Sequence, residues 1–413
     1  MADADRTLLL VGLAMSGTGF TRVLAALANG LSGSYAVYWF GLGGQKGDEV
    51  SVTGVASHYC RSKPHTSIAL ASFRDVVLRI EPDIVLLLGQ PTWLAPLLRE
   101  LRATRPSCTV ILYAPIEGTV TNTDWLKPLV LVDDCVLYTE YARQNLITLH
   151  ASQDETARSV PLPRLHVLPH GVDTACFHPV ATLGARSSAG ASRTESRRKL
   201  FPDRPELAEA FIALNANFPY PRKRIDLTIR GFAAFAQASA PNAYLYLHHV
   251  RIDRYLRQQI ERIAAEVGLG DRLLFNTLNP RGETISDERL NLLYNACDVG
   301  LTTAMGEAWG LASFEHGATG AAQIVPDHTS FRENWGGVAE FIPITGRQHL
   351  FYEYADMHTV EPVEVARALQ RLYCDRALLR RKGHAALERA TSCRYHWPII
   401  ARRLHKIIRT ALT

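Results

Sequence analysis

The chain reads as an α/β protein built from two successive doubly wound, Rossmann-like domains, and three observations carry that expectation. Continuous apolar runs of strand length alternate with stretches of helical periodicity, which implies mostly parallel sheets buried on both faces. The alternation restarts after an Ala/Ser/Gly/Arg-rich stretch at 181–198. A length of 413 residues also exceeds what one hydrophobic core usually organises.

In the first domain, strands are expected at residues 8–13, 36–40, 84–88, 110–113 and 135–138. Residues 19–28, 68–80 and 93–104 carry the apolar spacing of helices that cover a sheet. Second-domain strands are expected at 211–215, 243–248, 272–275, 299–302 and 323–325. The stretch 181–198 can bury little and is expected to be an exposed connector. A last helix, near 398–410, begins beside Pro398, a residue well tolerated in a first helical turn. The expected division is a first domain at 1–172, a linker at 173–200, a second domain at 201–392 and a terminal segment at 393–413.

Composition narrows the function classes. With 47% hydrophobic and 21% charged residues the chain is an ordinary soluble globular protein, and no apolar run approaches the ~18 residues that span a bilayer. The opening MADADRTLLLVGL has an acidic start and a short apolar stretch, so it reads as a tail entering the first strand rather than a signal peptide. Seven scattered cysteines without a Cys-x-x-Cys pair argue against a zinc site or a disulfide framework, and a reducing cytoplasm is the expected compartment. The net charge of +5 is mild. Basic residues cluster at 193–199 and 402–409, where solvated helix faces are favoured over a peripheral membrane contact. Without an aromatic-interleaved basic stripe, nucleic acid is not an expected partner.

The most informative segment is MGEAWGLASFEHGATGAAQIV, which starts at Met305. Its glycines loosen the loop after a buried strand, and a helix is expected to start near Ala312 or Ser313. The amides of Gly310, Leu311 and Ala312 would then have no intrahelical acceptor and could face an anion. Glu307 falls in the loop and Glu315 in the first helical turn, where an acidic residue is also an ordinary dipole partner. Two carboxylates flanking an anion-seeking helix start suit a phosphate with hydroxylated groups on either side, the layout of a nucleotide sugar.

GEAWGLASFEHGATG resembles the Glu-x7-Glu segment of the retaining glycosyltransferases of family 4, which have the GT-B architecture of two Rossmann-like doubly wound domains facing across a cleft. The resemblance implies that Glu307 binds donor-sugar hydroxyls and that Glu315 binds the nucleotide ribose. It departs at Ala308, where relatives usually have Gly. HVLPHGVDTACFHP similarly resembles the family's strand-to-linker segment, with His170 in place of Asn. In GT-B enzymes the last helix commonly crosses back to the first domain.

A second motif, NANFPYPRKRIDLTIRGF, follows a strand and leads into a helix near Ile225. Pro219 and Pro221 fix an extended loop that delivers Arg222, Lys223 and Arg224 at its end, a charge run that could be solvated or could hold a diphosphate. The segment resembles the family's Gly-Arg-x4-Arg-Lys-Gly motif. Lys223 then matches the phosphate-binding lysine, while the first arginine falls on Asn217, leaving Arg222 or Arg224 to supply the missing charge.

In the first domain, the loop GLAMSGTG is neither Gly-x-Gly-x-x-Gly nor a Walker loop, so it signals nucleotide weakly by itself. Its position resembles the loop that faces the donor phosphate in GT-B enzymes, and Gly17 and Gly19 would allow close backbone approach. APIEGT puts Glu117 near a strand's carboxyl end, where it could orient an acceptor hydroxyl or take its proton, or serve as a turn carboxylate. Family members often have His or Asp in this vicinity.

No metal site is expected. The Asp pair at 3 and 5 lies in the tail, Asp133-Asp134 precedes a strand, and adjacent His248 and His249 would point to opposite faces. The family resemblance implies transfer of a hexose from a nucleoside-diphosphate sugar to an acceptor hydroxyl with retention, without a further cofactor. The acceptor class, whether small molecule, glycan or glycolipid, is open. An epimerase on the same fold and a non-catalytic sugar-nucleotide-binding protein are the alternatives.

Overall fold

The computed structural model describes residues 6–44, 50–158, 161–180 and 189–412. The chain divides into two compact units. Unit 1 runs to Gly171 and takes in His349–Asp356 and the chain from Arg394 onward; unit 2 comprises Val172–Gln348 and Met357–Cys393.

Unit 1 is organised by a seven-stranded sheet. Its members are β1 (Thr7–Leu13), β2 (Ala36–Leu42), β3 (Ala56–Cys60), β4 (Ile84–Leu88), β5 (Thr109–Ala114), β7 (Asp134–Leu137) and β8 (Arg164–Val167), with the two-residue β6 (Thr119–Val120) outside it. The order is β3-β2-β1-β4-β5-β7-β8 and every pairing is parallel. Ile84–Leu88 is buried at every position, as a strand covered on both faces must be. The strands absent from the expectation, β3 and β8, are the two edges. Their sequences, ASHYC and RLHV, mix polar and apolar residues because an edge is only partly covered.

Unit 2 repeats the plan with β9 (Phe211–Asn215), β10 (Ala243–Leu247), β11 (Leu273–Phe275), β12 (Val299–Leu301), β13 (Ala322–Pro326) and β14 (Glu340–Ile342). The order β11-β10-β9-β12-β13-β14 is parallel throughout. The helices Ile225–Ser239 and Pro362–Cys374 pack closely because Gly231 brings their backbones together, and a Cβ there would lie 2.5 Å from that of Val365.

The stretch expected as an exposed connector behaves differently. Residues 181–188 lie outside the described part, and Ala189–Leu200 is a helix with Ser192, Ser196 and Arg197 buried. Burial is possible because Arg197 donates to the carbonyls of Ala296 (2.8 Å) and Ala210 (2.7 Å) and to the Asp298 carboxylate (2.6 Å). Arg193 reaches the carbonyls of Cys297 (3.2 Å) and Gly320 (3.0 Å) and stands 3.7 Å from Asp298. Half of this basic cluster is therefore a buried clamp on the end of β12, not a solvated face.

The terminal helix Trp397–Ala411 belongs to unit 1, where it buries Ile400, Ala401, Leu404 and Ile408. It lies on the helix Gly19–Leu31: Tyr35 and His405 share a 2.9 Å hydrogen bond, and a Cβ at Gly30 would meet Ala401 at 2.5 Å. Its Arg402, Arg403, Lys406 and Arg409 are exposed. Among the described residues no helix is long and apolar enough to cross a membrane.

Candidate functional site

In unit 2 the strand order reverses between β9 and β12, so the loops that leave their carboxyl ends open a crevice, the usual ligand position of a doubly wound sheet. Both motifs of the second domain leave from these two strands. After β9, Pro221–Lys223 forms a single 3-10 turn, and Arg224 takes a left-handed conformation with φ 47°. The Thr303 hydroxyl donates to the Arg224 carbonyl at 2.6 Å and so holds that turn.

The turn sends the Lys223 ammonium onto the Glu307 carboxylate, both side chains being largely buried at 8% and 13% exposure. Arg222 is buried beside them. Its guanidinium donates to the Gly306 carbonyl (2.8 Å), and its own carbonyl accepts from the Met305 amide (2.8 Å). The Glu307 carbonyl accepts from the Ser330 hydroxyl, and His328 donates to the Ala304 carbonyl at 2.8 Å. Burial alone would raise the Glu307 carboxyl, but the charges of Lys223 and Arg222, the Lys223 hydrogen bond and His328 outweigh it and hold it below its ordinary range. His328 is pushed down to about 4 by burial.

Gly310, at φ 92°, opens the helix Leu311–Gly317. The start falls at Leu311 rather than at Ala312 or Ser313, because a left-handed glycine turns the chain directly into the helix. Glu315 consequently lies in the second turn instead of the first. It is 5% exposed and accepts from the Tyr294 hydroxyl at 3.3 Å. Trp309 stacks on Phe314 with ring centroids 4.7 Å apart, which stiffens the loop from below.

The two neighbours of Lys223 differ in their commitments. Arg224 forms a two-point pair with Asp226 at 2.9 and 2.8 Å. Arg222 stays against Gly306, next to Glu307. Asn217, where the family arginine would fall, donates to the Thr302 hydroxyl (2.8 Å), and its carbonyl accepts from His249 Nδ1 (2.7 Å).

Unit 1 reverses its strand order between β1 and β4. The loop after β1 holds Gly17 at φ 79°, and Gly19 begins the next helix; both are exposed. The Met15 amide donates to the Thr21 hydroxyl and the Thr18 hydroxyl to the Met15 carbonyl, each at 2.8 Å, so this loop is fixed by side chains. Beyond β4, Gln90 directly precedes the helix Pro91–Thr104, and beyond β5 comes Glu117. The Gln90 amide nitrogen donates to Glu117 Oε2 at 3.3 Å and to Glu353 Oε2 at 2.8 Å. Glu353 is 6% exposed.

Sequence reasoning missed Gln90, Glu353 and Tyr294. Gln90 was accessible from the rule that ligands gather at strand carboxyl ends, since it lies two residues beyond β4. Nothing local to Glu353 points to unit 1.

Other polar residues singled out in the sequence are buried or paired. His170 is buried against Tyr113 and Tyr138, with ring centroids at 5.4 and 4.0 Å, and is pushed down to about 3 by burial. Asp134 pairs with Arg164 (2.8 Å) and His166 (2.6 Å). His248 and His249 both lie buried just beyond β10 and are pushed down to about 4. The Asp pair of the tail lies outside the described residues. Among the described residues no group of three or more His, Cys, Asp or Glu side chains is placed to hold a metal ion, and none of the seven cysteines forms a disulfide.

No family model and no curated protein matches the sequence. Solved structures do match along nearly the whole chain. Sucrose-phosphate synthase from Thermosynechococcus elongatus is similar with a TM-score of 0.76 at 17% identity, over 98% of this chain and 99% of that one. Anabaena HepE in complex with UDP-glucose matches with a TM-score of 0.71 at 13% identity, over 98% and 100%. The α,α-trehalose 6-phosphate synthase from Burkholderia multivorans matches with a TM-score of 0.68 at 12% identity, over 98% of each chain. The chain has the GT-B fold, two Rossmann-like domains of mixed α/β structure with parallel sheets.

Proposed function

We propose that the chain is a glycosyltransferase that moves a hexose from a nucleoside-diphosphate sugar to an acceptor hydroxyl, with retention at the anomeric carbon. The observation that carries this reading is the Lys223–Glu307 pair at the strand-order reversal of unit 2, with buried Glu315 in the short helix that follows. Lys223 and Arg222 would neutralise the diphosphate, aided by the amides of Gly310 and Leu311, while Arg224 stays with Asp226. Glu307 would accept hydroxyl hydrogen bonds from the sugar and Glu315 from the ribose. Stabilising the departing diphosphate would be the largest contribution of the protein, and that group can itself receive the acceptor proton on the face it leaves. The UDP and UDP-glucose complexes of HepE support a uridine nucleotide as the first donor to test.

The glutamates are expected to separate. Glu315→Ala should weaken nucleoside diphosphate and intact donor alike, by about 1–3 kcal/mol. Glu307→Ala should leave nucleoside diphosphate binding intact, because the carboxylate serves the sugar and its loss frees Lys223, yet it should lower turnover strongly. Calorimetric titration of both variants checks this, and equal losses of nucleotide affinity would contradict the roles.

With cationic side chains assigned to the diphosphate, turnover is expected to persist in excess chelator. Loss on chelation with rescue by magnesium or manganese would transfer that role to an ion. The product also discriminates: an epimerised nucleotide sugar formed without acceptor, or an inverted anomeric centre by NMR, would overturn the proposal.

A further inference from the structure

We propose that the segment 328–335 positions the Glu307 carboxylate for the donor sugar, and that Ser330 is the principal positioning residue within it. This rests on the reading above, which gives Glu307 the sugar hydroxyls. The segment follows β13 and holds the helix Thr329–Trp335; β13 pairs in parallel with β12, so the segment lies beside the loop that carries Glu307. It grips that loop from end to end. The His328 ring donates to the Ala304 carbonyl at 2.8 Å, and the Ser330 hydroxyl donates to the Glu307 carbonyl. Farther along, the Asn334 amide donates to the Trp309 carbonyl at 3.1 Å and the Trp335 indole to the Ser313 hydroxyl at 3.2 Å. His328, Ser330, Asn334 and Trp335 are all buried.

A count of hydrogens singles out Ser330. The Ala304 carbonyl can only accept, so Nε2 of the neutral His328 ring carries its proton and Nδ1 is an acceptor. The Thr329 hydroxyl, 3.0 Å from Nδ1, supplies the hydrogen to it. Thr329 then has none to give to the Glu307 carbonyl, 3.5 Å from its oxygen, and of the two hydroxyls it is Ser330 that holds this carbonyl. To aim Ser330, the chain turns through Thr329 at φ 43°, a left-handed conformation that a β-branched residue avoids. A costly turn kept beside a candidate site points to a role in holding that site. The two holds on Glu307 are complementary, Lys223 fixing the carboxylate and Ser330 the backbone. On donor binding Lys223 would turn to the diphosphate, and the backbone hold would then keep the carboxylate on the sugar.

The test compares the full wild-type chain with Ser330→Ala by hydrogen-exchange mass spectrometry and by calorimetry with UDP and UDP-glucose. Ser330→Ala should speed exchange in the loop 304–310 by about tenfold and leave β9 and β10 unchanged. It should keep the affinity for UDP within about twofold while lowering that for UDP-glucose, relative to UDP, by about fivefold. In a Glu307→Ala background the same substitution should move this ratio by less than about twofold, because Ser330 acts through Glu307, whereas a merely structural role would cost as much in either background. Unchanged loop exchange, an unchanged affinity ratio, a matching loss of UDP affinity, or an equal effect in the Glu307→Ala background would overturn the proposal. A wild-type chain that binds neither nucleotide would count against the donor reading, and the exchange measurement would still decide whether Ser330 holds the loop.

Discussion

Lys223→Ala is expected to lose about 1.5–3 kcal/mol of donor binding or transition-state stabilisation, roughly 10- to 150-fold. Two effects add. The ammonium is removed from the diphosphate, and the Glu307 carboxylate that it now neutralises is left facing the same anion. The second effect has its own signature. Removing Glu307 as well should recover part of the nucleotide affinity, so the two substitutions should be clearly non-additive in a double-mutant cycle. Calorimetry with nucleoside diphosphate and steady-state turnover provide the readouts. Unchanged affinity together with unchanged turnover in Lys223→Ala would remove the residue from the site.

A comparably large effect is expected on stability at Asp298. Its carboxylate is the counter-charge of Arg197, whose side chain is 4% exposed, and it also accepts from the Ile212 amide at 2.8 Å. Asp298→Ala would leave Arg197 and Arg193 close together without an anion, at a cost of about 3–5 kcal/mol to unit 2. Replacing Arg197, Arg193 and Asp298 together by apolar residues of similar volume should cost much less, because no charge is then stranded. Denaturant midpoints of the two variants measure the difference. A loss below about 1 kcal/mol for Asp298→Ala would contradict the assignment of this cluster as a buried clamp.

The parts of the fold that the sequence displayed are those whose burial is uniform. IVLLL and FIALN are continuous because both faces of a central strand are covered, and they lie where their patterns put them. RLHV at an edge has no such pattern. The segment from Ala189 to Leu200 misleads for the opposite reason: its composition says solvent, yet Arg197 is buried and Arg193 half-buried, both paired with an aspartate about a hundred positions away. At the candidate site, the loop carrying Lys223 and the loop carrying Glu307 were each visible as motifs. Their convergence follows from the reversal of strand order between β9 and β12, which no local pattern encodes. The pairing of Arg224 with Asp226 was within reach of the sequence, two positions away. Glu353 was illegible, since only the return of a distant segment to unit 1 brings it to Gln90.

The central claim, that unit 2 holds a nucleoside-diphosphate sugar on Lys223, Glu307 and Glu315, is tested most directly by calorimetric titration of the unaltered chain with a panel of nucleotide sugars and their free diphosphates. The expected result is one binding site per chain for at least one nucleotide, shared by its diphosphate and its sugar conjugate. No measurable heat with any member of the panel, up to millimolar concentrations, would contradict it.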